Sequence, residues 1–368
     1  MKLQQGPAKV GQGLALLTVG AIGGLAAQGI GVPAGMVVGA LLASGLYRLA
    51  GGDAGPWRGR YGQVGRLLLG TVVGAAFGPD VIAPLKAALL PMIALIAVIV
   101  SAGLGLGWTL SRFTHLDATT ALISAVPGGL PAMAAMAEDV DADATVVAAI
   151  HFSRLVVILM AVPALVPLLA ASSTDATVVV PLDEPVGLWP TVAALTIGLI
   201  GGLLALRGGV LSGDLIGPIL TVGGVNLLGA GLGPLAEGFR QAAMLFIGTA
   251  VGAQVSHDSL RRLRQVALPA AVVIAAIITL GLLLGWGLSR VTPLDLTTAL
   301  LSSVPGGAST MSVVAHDLGG DMRLVAALHL TRQLVVFILL PSALGHLLRN
   351  KHRRKVVPPT PAGDGCDV

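Results

Sequence analysis

Apolar residues in this chain come in long runs separated by short polar clusters. In the first half the runs lie near 14–29, 32–50, 62–79, 86–110, 117–137 and 144–170, and matching runs continue to about 348. A helix rises about 1.5 Å per residue, so about 20 apolar residues span a hydrocarbon layer of about 30 Å. Runs of this length and number predict an all-α polytopic membrane protein.

The pattern is written twice. Shifted by 178 positions, the sequence matches itself without a gap. Thr18 falls on Thr196, and the glycines at 20, 23, 24, 31, 35 and 39 fall on those at 198, 201, 202, 209, 213 and 217. Gly-Thr-Val-Val-Gly-Ala at 70–75 falls on Gly-Thr-Ala-Val-Gly-Ala at 248–253. Trp108 falls on Trp286, Asp117 on Asp295, His151 and Arg154 on His329 and Arg332, and Pro163 on Pro341. A constant offset over so long a stretch is the signature of duplication. It divides the chain into an N-terminal segment 1–10, repeat one 11–170, a linker 171–188, repeat two 189–348 and a tail 349–368.

The fifth run of each repeat breaks its own helix. Pro127-Gly128-Gly129 and Pro305-Gly306-Gly307 stand in the middle of apolar sequence, each followed four residues later by a methionine, Met133 and Met311, and six later by Asp139 and Asp317. Proline lacks an N–H and glycine disfavours helix, so each run is a kinked span or a pair of half-helices that returns to the side it came from. Loop charge favours the second. Arg48, Arg58, Arg60 and Arg66, then Arg261, Arg262 and Arg264, then the cluster Arg349, Lys351, Arg353, Arg354 and Lys355 mark cytoplasmic segments, while the linker carries Asp175, Asp183 and Glu184 without a base. The repeats then end on opposite sides, which requires an odd number of crossings each. The expectation is two inverted-topology repeats of about five transmembrane helices plus a re-entrant hairpin, with both termini cytoplasmic.

Composition agrees with the pattern. The chain is 55% hydrophobic and 11% charged, with a mean hydropathy of +0.89, against about 25% charge in soluble domains. The net charge is +4, and the largest basic cluster, at 349–355, follows the last apolar run, where it suits anionic lipid rather than nucleic acid. The single cysteine, Cys366, lies in a Pro/Gly-rich tail, which excludes an intrachain disulfide and a cysteine-based metal site.

Candidate chemistry gathers at the breaks. A half-helix beginning at Gly128-Gly129 or Gly306-Gly307 leaves its first N–H groups unpaired at membrane depth, where an anion suits them. The second copy adds the hydroxyls of Ser309, Thr310 and Ser312. Arg154 falls about 15 Å into the sixth run, near the middle of the slab. The same holds for Arg332. An arginine there costs about 2.5–3.5 kcal/mol or more and is kept for a reason. It can grip a carboxylate with two parallel bonds. His151 and His329 stand three residues ahead, on the same helix face, and can exchange protons near neutral pH. Asp317 is a further candidate for coupling to an ion. The bland alternative is an ion pair of each arginine with Asp139, Asp143, Asp317 or Asp321. Met133 and Met311 read as packing, Asp117 and Asp295 as helix caps, the glycine series as close helix crossings. Trp108, Trp189 and Trp286 read as interfacial belts. Asp214 reads as a cap or a cation ligand.

Two apolar modules of about 150 residues, each carrying Pro-Gly-Gly, Met, Asp, Asp and His-x-x-Arg at fixed spacing (127–154 and 305–332), resemble the AbrB family of bacterial membrane proteins, known for an internal AbrB duplication. The resemblance implies a transporter without an assigned substrate. The layout also looks like that of the bacterial sodium–glutamate symporters, an analogy of architecture.

These features point to a secondary transporter of a small organic anion or amino acid, coupled to Na⁺ or H⁺, working in the lipid bilayer and compatible with a homo-oligomer. No Walker sequence is present to couple ATP. A receptor or a channel is the alternative. An intramembrane monooxygenase, and enzyme activity in general, is not expected. The seven histidines, at 115, 151, 257, 316, 329, 346 and 352, form no H-x-x-x-H pair, and no cofactor or metal is implied.

Overall fold

The computed structural model describes residues 7–53, 55, 58–128, 133, 136, 137, 140, 142–170, 186–210, 212–257, 261 and 267–336. The described residues form helices and turns, without a strand. The helices are α1 (Pro7–Gly29), α2 (Gly35–Leu49), α3 (Arg58–Ala75), α4 (Ile82–Phe113), α5 (Ala118–Ala125) and α6 (Ala144–Ala170), then α7 (Leu188–Arg207), α8 (Gly213–Leu227), α9 (Glu237–Gly252), α10 (Ala267–Val291), α11 (Leu296–Ser303) and α12 (Ala308–Asp317). A final helix, α13, occupies 322–336. Four stretches, Pro79–Phe113, Ala144–Leu169, Leu188–Arg207 and Ala267–Val291, are long and apolar enough to cross a membrane by themselves. Helices α2 and α8, at 15 residues each, reach about 22 Å and are shorter than the layer.

The halves make corresponding contacts. A methyl group placed on Gly20 of α1 would strike the Thr249 hydroxyl of α9, and one on Gly198 of α7 would strike Thr71 of α3. Likewise Gly70 of α3 lies against the Leu215 carbonyl of α8, and Gly248 of α9 against the Val37 carbonyl of α2. Each half thus reaches into the other in the same way, as a two-fold axis requires. Its direction follows from α3 and α9. Gly62 lies against Ala250 and Gly65 against Ile247, so one number rises as the other falls. These helices are antiparallel, and the axis crosses them.

Glycine lets the backbones meet. In the hairpin of α1 and α2, a methyl group on Gly23 would stand 2.6 Å from the Gly39 carbonyl oxygen; in α7 and α8, one on Gly201 would stand 2.9 Å from that of Gly217. Small residues at such crossings are the usual device for close packing between membrane helices.

The helices sort into two blocks. Helices α1, α2, α3, α7, α8 and α9 pack on one another, and α4, α5, α6, α10, α11 and α12 form a second group through the pairs α4–α5, α4–α10, α10–α11, α5–α6, α6–α11 and α11–α12. Each block therefore takes the first or the second half of both repeats. Between them, α12 touches α3 and α9, and Met311, Val313, Val325 and Leu330 share a core with Val72, Met244 and Ile247. Helix α6, which corresponds to α13, adds Ile158, Leu159, Val162 and Val166 to this core, but its first half is less closely packed. A cleft of about 280 Å³ separates its Phe152, Ser153, Val156 and Val157 from Leu41, Leu42, Gly45 and Leu46 of α2.

Candidate functional site

Asp117 and Asp295 start α5 and α11 as N-caps, accepting from the N–H groups of Thr120 at 2.9 Å and Thr298 at 2.8 Å. Each helix lasts eight residues and ends where proline forbids its continuation. Val126 and Val304 are extended, as residues before proline must be. Gly307 has φ +91°, a conformation suited to glycine, and opens α12 without a side-chain cap. The chain then doubles back. The Thr298 hydroxyl, at the base of α11, accepts from the N–H of Asp321 at 2.8 Å, and the Thr120 hydroxyl, at the base of α5, accepts from the N–H of Asp143 at 2.9 Å. In both halves the segment after the break has returned to the level where the segment before it began.

The methionine of the motif closes the tip. A methyl group on Gly128 or Gly306 would run into the side chain of Met133 or Met311, each of which is buried. Glycine thus leaves the space that the methionine fills, and a larger residue would displace the methionine. Ile158 of α6 also abuts Gly306, so the second tip reaches the helix that carries Arg154, one turn beyond that arginine.

Arg154 and Arg332 point at the breaks. Arg154 donates to the carbonyls of Val126 at 3.5 Å and Gly128 at 3.4 Å; Arg332 donates to those of Ser303 at 3.4 Å and Val304 at 3.3 Å. They are 3% and 6% exposed. Neither has a carboxylate partner among the described residues. Asp317 pairs with Arg240 at 2.5 Å, and Arg240 also holds Glu237. Asp321 pairs with Arg323 at 2.8 Å, and Asp80 joins the same arginine at 3.0 Å. Arg154 makes only long carbonyl contacts, and Arg332 adds one short bond to His329, so both buried guanidiniums keep donors to spare.

The two histidines differ. His329 Nδ1 lies 2.7 Å from the Arg332 guanidinium, which can only donate, so Nδ1 accepts and Nε2–H donates to the Leu301 carbonyl at 2.8 Å. His151 uses Nδ1 toward the Val147 carbonyl at 3.0 Å, and its Nε2 is buried without a partner. The hydroxyls of Ser124 and Ser302, at corresponding positions in α5 and α11, are also buried and unpartnered. A buried polar atom left unpaired costs about 1–3 kcal/mol, and three in this region want explanation.

The expected hydroxyls are placed differently. Thr310 donates back to the Gly306 carbonyl, and Ser312 to that of Ala308 at 2.6 Å. Both sit inside the first turns of α12, where bonding to the carbonyl four residues back is closer than any ligand. Ser309 is half-buried beside the exposed Gly307. Asp317 lies at the far end of α12 with Arg240, away from Arg332. Gly129 and Asp139 lie outside the described residues. Asp214 is neither a cap nor an open cation ligand: it takes two bonds from Arg66 of α3, at 2.9 and 2.6 Å. Ser124 and Ser302 went unnoticed in the sequence, although the 178-residue offset lays one on the other just ahead of each break.

Apolar spanning helices around a buried, cationic, polar-lined pair of breaks define a multi-pass membrane protein. The chain belongs to the AbrB family: the family model described as "Transition state regulatory protein AbrB" matches residues 36–347. Among curated proteins it is similar to "Putative regulator AbrB" of Escherichia coli (strain K12), 26% identical over 325 residues, covering 84% of this chain and 89% of that one. It is also similar to "Uncharacterized protein YhjN" of Bacillus subtilis (strain 168), 23% identical over 362 residues, covering 92% and 94%. No solved structure matches the chain.

Proposed function

We propose that the protein is a secondary transporter of a small anion, driven by an ion gradient, with its site between Arg154 and Arg332. The observation that carries this reading is the pair of buried guanidiniums, one at each helix break, without a carboxylate partner among the described residues. Irregular backbone at membrane depth persists where it lines a site, and opposed half-helices are the usual frame for one in transporters. In this reading α5 and α11–α12 belong to re-entrant hairpins, the repeats have inverted topology with both termini cytoplasmic, and 171–188 faces outward. The return of each hairpin to its base and the antiparallel α3 and α9 support it. His151, with a free ring nitrogen, is the better placed of the two histidines to carry a coupled proton.

Purified protein in proteoliposomes tests the reading. Uptake of a labelled anion under an imposed pH or Na⁺ gradient, abolished in Arg332→Ala, is the expected result. Saturable binding without flux would instead favour a receptor, in line with the word regulator in the name of the Escherichia coli relative. For topology, a cysteine at Ser173 in a Cys366→Ser background is expected to react with an impermeant reagent from outside. Reaction only after the membrane is opened would rule out the inverted arrangement.

A further inference from the structure

The charge of the site selects its ligand further. Resting on the anion-transporter reading, we propose that the substrate is a small dicarboxylate, one carboxylate held by Arg154 and the other by Arg332.

Three observations lead there. The first is charge. Both arginines are buried, a guanidinium stays ionised, His329 has the bonding pattern of a neutral ring, and no carboxylate among the described residues pairs with either guanidinium. The site therefore carries two positive charges in a low-dielectric setting, where a monovalent anion leaves one uncompensated and a divalent anion leaves none. The second is the lack of a seat for a cation. An amino acid brings an ammonium group that needs acceptors. The carbonyls at the breaks, of Val126, Gly128, Ser303 and Val304, already face the guanidiniums. A zwitterion would set its ammonium against two fixed positive charges. The third is symmetry. The arginines come from corresponding positions of the two repeats and approach the breaks of their own repeats, and Ile158, one turn beyond Arg154, abuts Gly306 of the second break. A planar guanidinium binds one carboxylate with two parallel bonds. Two such forks fit a ligand with an acidic group at each end better than a single compact oxyanion.

The buried groups without partners complete the site. His151 Nε2, as an acceptor, and the Ser124 and Ser302 hydroxyls, as donors or acceptors, are nine-tenths or more buried and unbonded. Ser124 lies two residues ahead of Val126 and Ser302 two ahead of Val304, the residues whose carbonyls the arginines hold. A ligand hydroxyl or carboxylate oxygen would satisfy them.

Thermal shift and titration calorimetry on the full-length protein test this, using potassium salts of oxalate, malonate, succinate and glutarate. Acetate and propionate, alanine and glutamine, and inorganic phosphate and sulfate are the comparisons. At least one dicarboxylate is expected to bind ten times more tightly than either monocarboxylate, with one chain length preferred. In Arg154→Gln and in Arg332→Gln the dicarboxylate should fall to monocarboxylate affinity. Arg→Lys at either site should weaken binding while keeping the order. Equal binding of acetate and succinate, or tighter binding of alanine, phosphate or sulfate than of every dicarboxylate, overturns the proposal but leaves an anion or amino-acid transporter standing. No response to any solute overturns the broader reading as well. If the glutamine variants do not fold, the order of affinities in the unaltered protein decides the matter.

Discussion

Arg66 and Asp214 show how unequal the partners of an ion pair can be. The Asp214 side chain is 4% exposed and that of Arg66 34%. Removing the arginine leaves a buried, unpaired carboxylate, whereas removing the acid leaves a cation that reaches water. Breaking a buried pair in the costly direction takes about 3 kcal/mol. Arg66→Ala is therefore expected to lower stability by about that amount and Asp214→Asn by about 1 kcal/mol or less, since the neutral amide still accepts from Arg66. Thermal unfolding in detergent measures both, and equal losses would refute the asymmetry. At this scale the sequence was a partial guide. It isolated Arg154, Arg332 and their histidines because a charge in an apolar run stands out. It could not say whether Asp317 or Asp321 would neutralise them, because partnership depends on helices distant in sequence. Arg240, which takes Asp317, has Gly62 as its counterpart, so the repeat gave no warning.

A helix in this protein is placed by its glycines. In α9, Gly248 leaves room for the Val37 carbonyl and Ala40 of α2, at 2.5 and 2.9 Å from where a methyl group would stand, while Gly105 of α4 has nothing within 4 Å. Gly248→Ala is expected to destabilise by about 1–3 kcal/mol, as overpacking does. Gly105→Ala should be neutral or stabilise by up to about 1 kcal/mol through the better helix propensity of alanine. The same unfolding measurement compares them, and similar losses would mean that the crossing yields easily. Caps give a second comparison. Asp117→Ala and Asp295→Ala should each cost about 1 kcal/mol and by similar amounts, because both remove the same bond at the base of a short helix. The breaks themselves were plain in the sequence, as Pro-Gly-Gly allows no continuous helix. The return of the chain to its base was expected only indirectly, from loop charge, since the bonds that record it, from the N–H groups of Asp143 and Asp321 to the hydroxyls of Thr120 and Thr298, join residues 23 apart and a kinked span would carry the same Pro-Gly-Gly.

At the scale of the molecule the duplication is not the division that matters mechanically. The blocks each combine parts of both repeats, and they meet unevenly. Helix α13 packs onto the first block, and its Gln333 donates to the Ser212 hydroxyl at the start of α8 at 3.1 Å. Arg323, also on α13, donates to the Ala76 carbonyl at 3.0 Å and pairs with Asp80. Arg240 of α9 reaches Asp317 at the end of α12. The corresponding helix α6 shares the core through Ile158, Leu159, Val162 and Val166, and its 149–157 stretch faces a cleft. Two halves related by a two-fold axis have equivalent states available, so an arrangement in which α6 closes on α2 and α13 stands off has the same backbone logic. The polar contacts select between them, because Leu155, Thr145 and Gly62 occupy the positions that correspond to Gln333, Arg323 and Arg240. Weakening the contacts should therefore move the population. With cysteines at Gly45 and Ser153, on opposite walls of the cleft, in a Cys366→Ser background, little oxidant-induced cross-linking is expected, since a disulfide needs Cα atoms within about 7 Å. Adding Asp317→Asn and Arg323→Gln should raise the cross-linked fraction several-fold, which requires a shift of about 1 kcal/mol between the two arrangements. An unchanged fraction in a folded protein would mean that the blocks are fixed against each other, and the proposed site would then have to open by local movement at the helix breaks alone.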